Sequence, residues 1–172
     1  PAMELLGWDI LDIAKSEIGA NRKHRQNRFL TVIQYSLDML DVLREMKRLL
    51  RPDGRAIIVI GKESNVRGLS FKNGMLVAAI ASGRAGFQLE TRQERTFKNK
   101  FGEIICEDIL HLVPGSSNMV DGENFARSVA SWYLIEASKT GDEEARREAL
   151  EAKERASTVQ KSPLLKPMIA HI

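Results

Sequence analysis

The sequence predicts an α/β fold whose sheet ends in an antiparallel hairpin. Three observations predict it. Residues 43–61 (LREMKRLLRPDGRAIIVIG) read as an amphipathic helix, a tight turn and a strand that ends on glycine, which is the second half of a βαβ unit. A second helical pattern follows over residues 69–85. Two runs at 87–97 and 104–113, separated by a turn-like loop, then read as a strand and its return.

The elements follow in order. Residues 4–18 mix apolar and acidic side chains and read as helical in part, with Gly19 ending the segment. Residues 21–28 (NRKHRQNR) are polar and basic, a loop or the exposed first turns of the next helix. Over 29–50, Val32, Tyr35, Met39, Val42, Met46 and Leu49 recur at spacings of three and four, giving one apolar stripe on a helix. Arg51-Pro52-Asp53-Gly54 stops it, because proline cannot continue a helix and glycine accepts a positive φ.

Residues 56–60 (AIIVI) are apolar throughout, as in a central parallel strand buried on both faces. Residues 61–68 (GKESNVRG) read as a polar loop at its carboxyl end, with Ser70 a candidate cap for the next helix. In that helix Met75, Leu76, Ala79 and Ile80 are expected to face inward, and Gly86 breaks it. The run at 87–97 alternates, as a strand with one wet face does. Residues 125–137 read as an amphipathic helix with Phe125, Val129, Trp132 and Tyr133 on its stripe. Gly141-Asp142 breaks it, residues 143–158 form a charged helix, and 162–172 lack periodicity. The division expected is an α/β part at 1–114 and a helical extension with an irregular tail at 115–172.

Composition narrows the function classes. At 172 residues and 43% hydrophobic, the chain can bury a core of ordinary size. A charged fraction of 28% fits a cytoplasmic protein. No apolar run reaches the roughly 18 residues that span a bilayer. No basic-then-apolar order marks a signal peptide. Pro1-Ala2 ahead of Met3 read as a cloning remnant. The single cysteine, Cys106, precludes an intrachain disulfide and a thiolate zinc cluster, and its apolar neighbours predict burial. His24, His111 and His171 lack metal-ligand spacing. Glu107 and Asp108 point to opposite faces of a strand, so they are not a catalytic pair.

Net charge is only +3, but its distribution is uneven. Arg22, Lys23, Arg25 and Arg28 form a run without an acidic interruption, suited to DNA phosphates. Lys98 and Lys100, with Arg92 and Arg95, form a second basic group around the hairpin. In the 61–68 loop, Lys62, Ser64, Asn65 and Arg67 lie where open α/β sheets bind ligands, and Arg67 suits a bidentate phosphate contact.

Residues 35–114 resemble the C-terminal half of a bacterial DNA amino-methyltransferase of the restriction-modification type. Leu49-Leu50-Arg51-Pro52-Asp53-Gly54 is similar to the turn before the fifth strand of class I methyltransferases. Gly61, Asn65, Val66, Arg67 and Gly68 resemble the loop after that strand. Phe101-Gly102-Glu103 with Glu107-Asp108-Ile109-Leu110 resembles the last hairpin. The resemblance implies a partial Rossmann-like methyltransferase sheet whose last strand runs antiparallel. It implies S-adenosylmethionine (SAM) as cofactor of the complete enzyme and an exocyclic base amine as acceptor.

The Gly-rich SAM loop and the Pro-Pro-Tyr segment of that family do not occur in these residues. The chain alone is therefore expected to lack the methyl-transfer centre, to hold no catalytic residue, and to be inactive by itself. DNA is one expected partner. The other is the N-terminal half of the methyltransferase or a second copy of the chain. A non-catalytic module that binds DNA or a partner is the alternative, and a methyltransferase fragment for another substrate is a third reading.

Overall fold

A computed structural model describes residues 27–116 and 120–162. In chain order the elements are α1 (Leu30–Leu49), β1 (Ala56–Gly61), β2 (Ser64–Val66), β3 (Leu69–Phe71), α2 (Asn73–Arg84), β4 (Phe87–Lys98), β5 (Ile104–Pro114), α3 (Gly122–Ser138), α4 (Glu143–Glu154) and a 3-10 turn (Ala156–Thr158). The described residues are thus mixed α/β, with a small three-stranded antiparallel sheet, a two-stranded hairpin and four α-helices.

The main sheet has the order β1-β5-β4. β5 runs antiparallel to both neighbours, so β1 and β4 run parallel to each other on either side of it. The expected hairpin is present: Phe87 pairs with Pro114 and Lys98 with Ile104. Alternation then decides which face is covered. Asp108, Leu110 and Leu112 of β5 are buried, and their cross-strand partners are Ile60, Ile58 and Ala56. The opposite face carries Ile57 and Val59, exposed by 57% and 50%. Expected as a central strand buried on both faces, β1 is instead an outer strand of this sheet with one wet face. α2 packs against its other face, and α1 and α3 pack on α2.

α1 buries only part of the stripe expected, Val32 in the core with Met39 and Met46 packed against it, and centres on a neighbouring line. Ile33, Leu37, Leu40 and Leu43 are fully buried, whereas Tyr35, Val42 and Leu49 are exposed. Both sets satisfy helical spacing, and the packing of α2 and α3 selects the first. On α2 the inward residues are Leu76, Val77, Ile80 and Ala81, and Met75 faces out. α2 begins at Asn73 because Leu69–Phe71 pairs with Ser64–Val66 as a hairpin, so the polar loop expected at 61–68 is partly strand. Ser70 does not cap the helix; its hydroxyl donates to Glu63. A positive φ of 83° at Gly86 turns the chain from α2 into β4.

On α3 the buried side chains are small, Ala126, Ala130 and Ala137 with Leu134; of the stripe expected there, Val129 and Tyr133 pack against the core in part, whereas Trp132 is exposed. α4 buries Ala145, Ala149 and Ala152 at helical spacing. Asp142 caps it by accepting from the Ala145 amide, and Glu143 and Glu144 lie in its first turn, where carboxylates favour the helix dipole. Phe29, Phe87, Leu110, Leu112 and Leu134 meet in one core that spans the sheet and all four helices.

Candidate nucleic-acid interface

Three groups of polar residues surround the carboxyl end of β1. The first is the segment from Lys62 to Asn73. Asn73 closes it: its amide donates to the Lys62 carbonyl and its side chain to the Gly61 carbonyl. The Ser64 hydroxyl donates to the Asn73 side-chain oxygen. Arg67 and Gly68 form the two-residue turn of the β2–β3 hairpin, with φ of 50° and 84°, the sense of a type I′ turn. Asn65 accepts from the Gly68 amide and holds the turn closed.

The guanidinium of Arg67 reaches Glu148 at 2.5 Å and Glu144 at 3.2 Å, both on α4. Beneath it Leu69 and Phe71 are buried, Phe71 tilted against Phe29 at 6.2 Å. The buried side chain of Asn27 donates to the Glu148 carbonyl. The hairpin thus clamps the start of α1 to α4, and Arg67 must leave two carboxylates to engage a phosphate.

The second group lies on the sheet. Lys62 bridges Glu94 at 2.8 Å, and Arg92 spans Glu94 at 3.1 Å and Asp108 at 2.9 Å. The hydrogen bond from Lys62 holds the Glu94 carboxyl below the usual range, and Glu94 in turn raises the Lys62 ammonium. Arg95 pairs with Glu107. Asp108 is fully buried, and its second oxygen has no partner and packs on Gly74 at the start of α2.

The third group is an arm. β1 pairs with β5 as far as Glu107, with one further bond from the Lys62 amide to the Cys106 carbonyl, whereas β4 and β5 continue as a pair through Phe97–Ile105 and Lys98–Ile104. Asn99 builds the tip by accepting from the amides of Phe101 and Glu103, with Gly102 at φ 82°. Phe101 and Ile104 are exposed by 76% and 65%. The Lys100 ammonium lies 4.9 Å above the Phe101 ring. Lys98 and Lys100 are exposed, and neither pairs with a carboxylate among the described residues. Cys106, expected to be buried, is exposed because the arm projects past β1.

Of the sequence-derived candidates, the structure brings Lys62 into the Glu94 network and Ser64, Asn65 and Arg67 into one hairpin. It sets Lys98 and Lys100 on the arm. Arg28 is exposed in the turn before α1, and Arg22, Lys23 and Arg25 lie outside the described residues. Sequence reasoning missed Asn73 and Glu94 and set Asp108 aside, because their partners are distant in sequence. An asparagine at the first position of a helix was the one local signal available. Among the described residues no group of three or more histidine, cysteine or carboxylate side chains could hold a metal ion, and no helix is long and apolar enough to cross a membrane. The arm offers cations interleaved with aromatic faces, which suits a polyanion with stackable bases.

Comparison with known proteins gives no match to this chain among family models, curated proteins or solved structures.

Proposed function

We propose that the chain is the C-terminal part, or the smaller subunit, of a SAM-dependent DNA methyltransferase that acts on an exocyclic base amine. It supplies completion of the sheet and loops that contact DNA. The observation that carries this reading is the strand order: an antiparallel β5 lies between two mutually parallel strands, β1 and β4, with α2 in the connection between them. That arrangement agrees with the sheet implied by the sequence motifs at residues 49–54, 61–68 and 101–110. SAM and the amine-holding segment belong to the complementary half in this reading. Lys98, Lys100 and Arg28 supply cations, and the 62–73 hairpin borders the DNA.

The test is duplex binding by fluorescence anisotropy over a salt series, comparing the chain with its Lys98→Ala/Lys100→Ala variant. The expected result is affinity that falls with salt, and a log–log slope shallower by about 2 in the variant. Salt-independent binding, or identical slopes, would sink the DNA role. The alternative is a non-catalytic module that binds DNA or a partner, and the exposure of the arm without any donor-binding motif favours it. Methyl transfer by the chain assembled with a SAM-binding half decides between the two.

A further inference from the structure

The β4–β5 arm carries two aromatic rings that the core does not use. Phe101 at the apex is exposed by 76% and Phe97 near the end of β4 by 40%. Aromatic side chains left in water forfeit most of what their burial would contribute to the fold. Each ring has a cation over one face. The Lys100 ammonium lies 4.9 Å from the Phe101 centroid, and the Arg95 guanidinium 5.3 Å from that of Phe97. The apex is pinned. The Asn99 amide donates to the Glu103 carbonyl and the Gly102 amide to the Asn99 carbonyl, beside the two amides held by the Asn99 side chain. A surface fixed in advance loses less freedom when it binds.

The charges around the rings favour an anion. From residue 95 to residue 107 the acidic side chains are Glu103 and Glu107. The Asn99 side chain donates to the first, and Arg95 pairs with the second. Lys98 and Lys100 remain as cations without a carboxylate partner among the described residues. The ring faces then favour one state of that anion. Bases in a duplex hide their faces in the stack, and a side chain wedged between them has a base on each side. A ring with an ammonium over one face offers a single bare face, which fits a base that is itself unstacked. We propose that the arm is a stacking platform for an unpaired stretch of a DNA strand. One base lies on the free face of Phe101 and another on Phe97, with Lys98 and Lys100 on the adjoining phosphates. This rests on the reading above, in which the arm contacts DNA, and it specifies the strand state that the arm selects.

The probes are a labelled oligothymidylate and its duplex with oligodeoxyadenylate of equal length. Each is titrated into the full chain, with Kd read by anisotropy. A duplex carries the denser phosphate charge, so cations alone would favour it, and a preference for the single strand reports stacking. The single strand is expected to bind about tenfold more tightly than the duplex. Phe101→Leu keeps an apolar apex but removes the aromatic face. It is expected to weaken single-strand binding about tenfold and to leave duplex binding unchanged. Phe101→Trp is expected to retain the preference. In NMR spectra the thymine base protons are expected to move upfield on binding, and not to do so with Phe101→Leu.

Single-strand binding that Phe101→Leu leaves intact overturns the inference. Equal affinity for the two probes, or tighter binding of the duplex, removes this inference alone and leaves the DNA contact standing. Binding of neither probe at low salt removes both. Single-strand preference in a chain whose assembled enzyme transfers no methyl group removes the methyltransferase reading alone.

Discussion

Gly74 is the point at which α2 meets the sheet. A methyl group there would overlap the Asp108 carboxylate. Gly74→Ala is therefore expected to destabilise the chain by about 1–3 kcal/mol, read as a lower midpoint in urea unfolding. An unchanged midpoint would mean that α2 shifts away from Asp108 at no cost. At this scale the sequence was informative where a partner is close and silent where it is distant. Gly68 announces a turn through its freedom at positive φ. Arg67 beside it reads locally as a phosphate ligand, yet its nearer carboxylate lies 81 positions further on. Glu107 and Asp108 do fall on opposite faces, as strand alternation requires: one pairs with Arg95 near the surface and the other is buried.

Among the elements, α1 shows best what periodicity leaves open. Two apolar stripes satisfy the spacing of three and four, and only tertiary packing chooses between them. Leu37→Ala, on the buried stripe, is expected to cost about 2–5 kcal/mol. Val42→Ala, on the exposed one, is expected to stay within about 0.5 kcal/mol. Comparable losses from both in urea denaturation would show that both stripes are covered in solution. β1 was ambiguous for a related reason: a run of five aliphatic residues fits a strand buried on both faces, and α2 covers one face of it. The β4–β5 hairpin was legible almost to the residue because an alternating run at 87–97, a short polar turn and an apolar-rich return at 104–113 admit few other readings.

Over the whole molecule, the stretch after α4 is tied back across the helices. Arg127 donates to the carbonyls of Ala156 and Val159. Lys161 reaches Asp41 and Glu123 at 2.8 and 2.7 Å, and Ser162 bonds Asp38 through its amide and its hydroxyl. The hydrogen bond from Lys161 holds the Glu123 carboxyl below its ordinary value. A depressed carboxyl contributes stability above its unfolded-state value and loses it as pH falls through the folded-state one. Thermal midpoints are therefore expected to decline as pH is lowered past the ordinary glutamate range, and Lys161→Met is expected to flatten that part of the profile. Parallel profiles for the two chains would remove Glu123 as a cause. The strand order has one more consequence, for synthesis. Ala56 finds its partner in Leu112, so β1 leaves the ribosome on the order of fifty residues ahead of β5. At ~5–20 residues per second it waits several seconds with both edges bare. In that interval the strand is open to any chaperone that recognises extended aliphatic segments, and to a partner chain made alongside it.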